Sequence, residues 1–382
     1  MVQKHLYFFL NNLWEKSKDF SHLFLYEKCI FLFLTMFEYL YRAGFFVVSA
    51  IKKMRGNKRV PFFVISVGNI SVGGTGKSVI SKYIIEHMQN SRGAIVMRGY
   101  RPGGSDKNTS QKNSFFVSRG SGFDCSVEKA GDEASMFATT LSVPVVVGSN
   151  RYQSCMLLNT LKNKPDYVVL DDAYQNHQLK KDIEIVLLDA RSPFENGHCV
   201  PAGRLREKDP SRADVIVLTH ADDVNEQQLS EIKKNILKKV SHTFVVAGKH
   251  AYAGLSDTHE QKIQAHFFAN KKVCVFAGIG SFGQFVASVE KQGISVVKKI
   301  QYPDHHNYVI QDMKTLQKYV STGQCDALVT TRKDWQKIKT LLQHISHTRE
   351  IQLYILDVQF EFLEQGDEKI FWKIIHNKFS SA

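Results

Sequence analysis

Residues 71–78 read Ser71-Val72-Gly73-Gly74-Thr75-Gly76-Lys77-Ser78, between an apolar run at 60–67 and a helix-like stretch at 79–88. Strand, glycine-rich turn and helix in this order form a cradle for a nucleotide triphosphate. Glycines let backbone N–H groups approach phosphate oxygens without a Cβ in the way, and the helix start adds unpaired N–H groups and a positive dipole end. Lys77 would reach the β- and γ-phosphates, and the Ser78 hydroxyl would hold Mg²⁺. Ser71 stands where the usual pattern has glycine. A glycine-rich turn can also merely join a strand to a helix. Lys-Ser directly after Gly76, with the correct flanking elements, favours a site for ATP or GTP.

The chain has 382 residues, room for about two domains. Its 43% hydrophobic and 23% charged content is that of an ordered protein. Fifty basic against 37 acidic residues give a net charge of +13, which favours a polyanionic partner: nucleic acid, an anionic membrane or a phosphorylated substrate. No nucleic-acid-binding module is visible and the basic residues are spread along the chain, so nucleic acid is not expected. No protein partner is called for. Six cysteines, at 29, 125, 155, 199, 274 and 325, show no CxxC or paired spacing. They read as free buried thiols in a reducing compartment, not as a disulfide frame or zinc site.

Residues 20–51 are rich in Phe, Leu and Tyr, with charges at Glu27, Lys28, Glu38 and Arg42. These interrupt any run of the roughly 18 apolar residues a spanning helix needs. The pattern also lacks the n-region and cleavage site of a signal peptide. Two readings remain: a pair of amphipathic helices packed on the protein's own core, or a helix hairpin lying in or dipping into a bilayer. The cluster Lys52, Lys53, Arg55, Lys58 and Arg59 follows, as suits a segment beside an anionic leaflet, and favours membrane association.

Beyond residue 60, short β-branched runs alternate with helical ones. Strands are expected at 62–67, 94–97, 143–147, 167–170, 183–188 and 215–218, in a parallel sheet covered by helices on both faces. The polar segment 103–121 reads as a loop. A second block of strands is expected at 244–247, 273–277, 294–300, 327–330 and 353–358. The fold class is therefore α/β: a P-loop NTPase-type parallel-sheet domain over 56–240, a smaller α/β domain over 241–382, and an N-terminal hydrophobic helical segment over 1–55. The cleft between the two domains is the default active site.

Several polar clusters can do chemistry. The apolar run 167–170 ends in Asp171 and Asp172, where strand ends of such a sheet face the ligand crevice. Beside a phosphate loop one of them should hold Mg²⁺; the alternative is a helix cap. Gly131-Asp132-Glu133 opens another helical stretch with adjacent acids. Pro303-Asp304-His305-His306-Asn307-Tyr308 is a polar knot without zinc spacing. Arg204-Leu205-Arg206-Glu207 places guanidinium groups suited to phosphate in a loop, as do Arg98 and Arg101 around Tyr100.

In this order the motifs resemble the tetraacyldisaccharide 4'-kinases of lipid A biosynthesis. Those carrying the resemblance are 67–78, Arg98-Gly-Tyr100, Gly131-Asp-Glu133, Val147-Gly-Ser-Asn-Arg151, Leu170-Asp-Asp-Ala-Tyr-Gln175, Pro201-Ala-Gly-Arg-Leu-Arg-Glu207, Phe276-Ala-Gly-Ile-Gly280, Pro303-Asp-His305 and Thr330-Thr-Arg-Lys-Asp334. The resemblance implies transfer of the ATP γ-phosphate to the 4'-hydroxyl of an acylated glucosamine disaccharide 1-phosphate lipid, giving lipid IVA. It implies work at the cytoplasmic face of the inner membrane, with the protein held there by its N-terminal segment. It matches Asp132 to the catalytic base and His305 to its dyad partner. Lys77 and the rest of loop 71–78 then serve the phosphates, Ser78, Glu133 and Asp171 the Mg²⁺, and Tyr100, Arg151, Asp172, Arg206 and Glu207 the substrate. The chain departs from the family pattern at Asn176, where His is usual and neighbouring His177 is the substitute on offer. Further departures are Arg204 for Pro, Ala134 for Pro and Arg332 for Glu.

The competing functions are a membrane-associated P-loop ATPase or GTPase switch, and a basic scaffold that uses nucleotide only structurally. Thr331-Arg332-Lys333-Asp334 lacks one residue of a guanine-reading motif, and the aligned acids argue against a scaffold.

Overall fold

The computed structural model describes residues 2–54, 58–98, 114–125, 127–304, 306–343 and 352–381. Two helices come first, α1 (Val2–Lys16) and α2 (Leu25–Met54). The chain then alternates through β1 (Phe63–Asn69), α3 (Lys77–His87), β2 (Gly93–Met97), β3 (Phe115–Arg119), α4 (Val127–Ala130), α5 (Asp132–Thr140), β4 (Pro144–Val147) and α6 (Arg151–Leu158). Next are β5 (Tyr167–Asp171), β6 (Ile183–Asp189), β7 (Val215–Thr219), α7 (Glu226–Lys239) and β8 (Phe244–Ser256). The remainder is β9 (Lys262–Ile263), β10 (Lys272–Ala277), α8 (Phe282–Glu290), β11 (Ser295–Gln301), α9 (Ile310–Ser321), β12 (Ala327–Thr331), α10 (Arg332–Gln343), β13 (Leu353–Phe362) and α11 (Gln365–Ser380).

The strands follow one path, β11-β10-β12-β13-β8-β7-β6-β1-β5-β2-β4-β3, with β9 paired to β8. The pairs flanking β1 are parallel, as its neighbours β5 and β6 show. Strand β8 joins the two blocks: its first part runs parallel to β7 and its later part antiparallel to β13. Val64, Ile65 and Val67 of β1 and Val168, Val169 and Leu170 of β5 are buried, as strands covered on both faces require. Helices α3, α5 and α11 line one face of the first block, with Ile80, Ile84, Phe137, Phe371 and Ile375 in one core. Cys155 and Leu158 of α6 cover the other face.

The structure corrects three expectations of secondary structure. Segment 103–121 is not all loop, since Phe115–Arg119 is strand β3, antiparallel on β4; its polar composition hid three residues that pack inward. Strands β8 and β13 run on to Ser256 and Phe362, beyond the expected ends, because they support each other as an antiparallel pair. The N-terminal pair of helices is α1 and α2 rather than a hairpin within 20–51: residues Leu25–Met54 form one continuous helix.

Helix α2 is amphipathic in reverse. Glu27 and Glu38 are buried against the protein, while Leu25, Leu40 and Phe46 are 80%, 64% and 74% exposed. Both buried acids have ion-pair partners: Lys16 Nζ lies 2.8 Å from Glu27, and Glu38 is flanked by His198 Nδ1 at 2.7 Å and Lys208 Nζ at 2.8 Å. The stretch Leu25–Ile51 is the one helix among the described residues long and apolar enough to cross a membrane. All six cysteines are free, but not all are buried as expected: Cys155, Cys199, Cys274 and Cys325 are, Cys125 is half-buried, and Cys29 is exposed on α2, whose apolar side chains face outward.

Candidate active site

The site lies where β1 and β5 end side by side, with Val67 in register with Asp171. Beyond β1 the chain turns through 71–76 and enters α3 at Lys77. Gly73 and Gly76 adopt φ of +133° and +83°, in the region that favours glycine. The turn is tied down on both sides. Asn69 Nδ2 donates to Thr75 Oγ1 at 2.9 Å, and Val72 N donates to the Arg204 carbonyl at 2.7 Å. Arg206 N in turn donates to the Ile70 carbonyl at 2.7 Å, so loop 201–207 runs alongside the turn 71–76.

Three acids meet the start of α3, Glu133 from α5 and Asp171 and Asp172 from the end of β5, and Asp132 stands next to Glu133. Glu133, in the first turn of α5, accepts from Ser78 Oγ at 3.2 Å. Asp172 forms an ion pair with Lys77 Nζ at 3.6 Å and accepts a hydrogen bond from Arg206 NH1 at 3.0 Å. Its φ of +49° is a left-handed conformation, unusual for a non-glycine residue and common at functional sites. Asp171 is buried; its Oδ1 accepts from Ser81 Oγ at 2.8 Å, and its Oδ2 has no hydrogen-bond partner among the described residues. Asp132 opens α5 beside Glu133, with Lys337 Nζ 2.9 Å from its Oδ2.

The electrostatics separate these acids. Lys333, 2.6 Å away, holds the Glu133 carboxyl well below the ordinary carboxylate range, against burial and with help from Lys77. Burial pushes the Asp171 carboxyl up, and the charge of Glu133 adds to this. Burial acts the same way on Asp172, but Lys77 and Arg206 outweigh it and hold that carboxyl low.

Other expected residues sit one layer out. The Arg151 guanidinium is buried and donates to the carbonyls of Gly148 at 2.9 Å and Asp171 at 3.3 Å, while its Nε has no partner among the described residues. Burial lowers Arg151 to about 10. Glu207 accepts from Gln175 Nε2 at 2.8 Å and Arg212 at 3.3 Å. Tyr100 and His305 lie outside the described residues. Asn176 accepts from the backbone of Gln178 at 3.1 Å, and the His177 ring sits edge-on to Phe45 of α2 at 6.2 Å. The departures at 204, 134 and 332 have local partners. Arg204 reaches Glu15 and Asn11 of α1, each at 3.1 Å; Ala134 is buried in the main core; and Arg332 donates to Asp357 at 2.7 Å and Ser256 at 2.8 Å.

Sequence reasoning did not single out Lys333, Lys337 or Arg212 as site residues. The signal for Lys333 was its place in Thr330-Thr-Arg-Lys-Asp334, and Lys337 follows at helical spacing. Nothing local marked Arg212, which donates to the Tyr174 carbonyl at 2.9 Å and covers that ring at 4.1 Å.

The model of the tetraacyldisaccharide-1-P 4'-kinase family matches residues 30–380. The chain belongs to the tetraacyldisaccharide 4'-kinase family. Relatives so named include one from Desulfatibacillum aliphaticivorans, 33% identical over 332 residues and covering 85% of this chain and 83% of the relative. Another, from Halothermothrix orenii, is 30% identical over 315 residues, covering 78% and 79%. Among solved structures, LpxK from Aquifex aeolicus in complex with ATP superposes with a TM-score of 0.67 at 26% identity, covering 90% of this chain and 97% of that one. As a member of the family the chain is a kinase of lipid A biosynthesis, transferring the γ-phosphate of ATP to the 4'-hydroxyl of tetraacyldisaccharide 1-phosphate. These relatives do not favour the nucleotide-switch reading.

Proposed function

We propose that loop 71–78 is a P-loop that holds the ATP triphosphate, and that the acids around it divide the work of phosphoryl transfer. The observation that supports this most is the convergence of Lys77, Ser78, Glu133, Asp171 and Asp172 at the open end of β1 and β5. Lys77 is placed to stabilise the negative charge that spreads over the transferring group. Ser78, Glu133 and Asp171 fit Mg²⁺: the orphaned Oδ2 of Asp171 is a buried oxygen ligand in want of a partner. When bound, Mg²⁺ would neutralise phosphate charge. That ion keeps several waters and shares phosphate oxygens, so it needs few protein ligands.

The acceptor is the sugar 4'-hydroxyl. Its oxygen forms the new P–O bond as the bond to the ADP oxygen breaks, and its proton passes to Asp132, with His305 as partner to that acid. Lys337 holds the Asp132 carboxylate in place at 2.9 Å. Arg206, fixed on Asp172, and Tyr100 serve the lipid substrate, while Arg151 supports Asp171 through its carbonyl. Residues 56–240 act as the kinase domain and 241–382 as a smaller α/β domain, with β8 shared between them. The exposed Phe and Leu side chains of α2 lie on the inner-membrane surface as a peripheral or monotopic contact, with the site facing the cytoplasm. In support, a helix that buries its acids and exposes its aromatics is ordered for an apolar medium, not for water.

Incubation with γ-labelled ATP and the disaccharide lipid, followed by separation of the lipids, tests the reading. Label should enter the lipid in wild type and not in Asp132→Asn. Label released only as inorganic phosphate would overturn it.

A further inference from the structure

Lys333 and Lys337 lie one turn apart on α10, so their ammonium groups share a face of that helix. They meet two consecutive acids of α5: Lys333 Nζ is 2.6 Å from Glu133 Oε1 and Lys337 Nζ is 2.9 Å from Asp132 Oδ2. Gln336 Nε2 continues the contact, donating to Thr139 Oγ1 at 3.1 Å. The start of α10 is fixed from behind, where Asp334 accepts from Thr331 Oγ1 at 2.7 Å and from Gly278 N at 3.1 Å. A rigid helix of the C-terminal half thus delivers two cations to the acids beside the phosphate loop.

An ion pair that only joins helices would have no reason to involve the phosphate loop. Lys333 does involve it, since the Glu133 oxygen it holds also accepts from Ser78 Oγ in the first turn of α3. The same carboxylate lies in the field of Lys77, and Lys333 also feels Asp171. Its side chain is 36% exposed. A divalent cation on Glu133 and Ser78 would compete directly with Lys333 for that oxygen. A displaced ammonium would stay in the field of Asp171 and Asp304, and a triphosphate on loop 71–78 would add its own negative charge there.

We propose that Lys333 is a further phosphate-contacting catalytic residue, supplied by the C-terminal half, that rests on Glu133 until nucleotide binds and then contacts the transferring γ-phosphoryl group. This rests on the reading of loop 71–78 as the triphosphate site.

The test compares Lys333→Met, which keeps the apolar stem, Lys333→Arg, which keeps the charge, and Lys77→Ala, all in the full-length protein in detergent. Turnover is measured with the disaccharide lipid, and calorimetric titration gives ATP and ADP affinities with and without Mg²⁺. Lys333→Met should lose about 100-fold or more in kcat, the scale of a removed transition-state donor. It should bind ATP several-fold more weakly yet keep ADP affinity within twofold, with Lys333→Arg recovering part of both losses. Unchanged turnover in Lys333→Met, or equal loss of ATP and ADP affinity with no recovery by arginine, would overturn the proposal and leave a helix-joining ion pair. If Lys333→Met does not fold, Lys333→Arg decides: ATP and ADP affinities and kcat all at wild-type level overturn the proposal, whereas a kcat loss with ADP affinity kept supports it. Failure of the underlying reading looks different, since Lys77→Ala would then turn over normally.

Discussion

Tyr41 Oη, on the long N-terminal helix α2, donates to the carbonyl of Arg206 at 3.1 Å. The guanidinium of the same arginine holds Asp172, which lies beside Lys77. A residue of the apolar helix is therefore three contacts from Lys77. Trp14 of α1 adds a second hold on loop 201–207 by donating to the Pro201 carbonyl at 3.0 Å. Tyr41→Phe removes one partly buried hydrogen bond, so stability should fall by about 1 kcal/mol. The lipid-substrate kcat/KM should fall more than ATP binding does, as loop 201–207 loses its anchor. Denaturant titration and steady-state kinetics measure the two.

Glu38 sits in the same contact. Burial opposes its charge, but Lys208, the Cys199 backbone and His198 outweigh burial and hold its carboxyl below the ordinary value of 4.5. For an acid lowered on folding, the stabilisation is complete above the unfolded value and lost as pH falls through the folded one. Wild type should therefore lose stability below about pH 4.5 more steeply than Glu38→Gln does. Denaturation midpoints from pH 3.5 to 7 in both proteins provide the check, and parallel curves would remove Glu38 from the account.

Lys77→Ala should cut turnover by about 100-fold or more while leaving the thermal midpoint within a few degrees, because no other ammonium can take its place at the β-phosphate. Wild-type kcat in the folded variant would dismiss the phosphate-loop assignment.

Gly76→Ala should be as damaging to nucleotide binding. The residue has φ of +83°, and a Cβ there would collide with His250 Nε2. His250 brings its own pH signature: burial, with the His220 ring 4.8 Å away, pushes it down to about 4. A base lowered on folding leaves the unfolded chain binding more protons between the two values. Stability is then full above the unfolded pKa of 6.5 and falls as pH drops toward about 4. The loss should be on the order of 2 kcal/mol and should be absent in His250→Gln, as read by denaturant titration at pH 4.5 and 7.5.

Replacing Phe33, Leu40 and Phe46 together by Asn should shift the protein from sedimenting with anionic vesicles to the supernatant, with the fold unchanged, since all three are exposed. High salt on wild type should release only the fraction held by charge, because apolar insertion is not screened. Equal sedimentation of both proteins would point away from α2 as the contact.

Asp132→Ala and His305→Ala should each depress kcat strongly, and the double variant should be little worse than the weaker single, because groups acting as one unit are non-additive. Fully additive losses would mean that the two act separately.

The strand, turn and helix around 71–78 were legible in the residues because their signals are local: a β-strand, glycines where φ is positive, and Lys-Ser at the helix start all lie within about twenty positions. Asp171 and Asp172 were legible for the same reason, as acids ending an apolar strand. Most strands could be placed from their apolar runs, while Phe115–Arg119 was hidden because three inward residues in a polar setting make a weak pattern. What local pattern cannot carry is pairing across long separations. Lys333 meeting Glu133, Lys337 meeting Asp132 and Tyr41 meeting Arg206 join residues more than a hundred positions apart, and any of these side chains alone reads as solvated surface. The sense of α2 was equally open, since apolar and charged residues at helical spacing specify two faces but not which one turns inward. Only the fold, which places Lys208 and His198 beneath Glu38, turned the acids in and left the aromatics out.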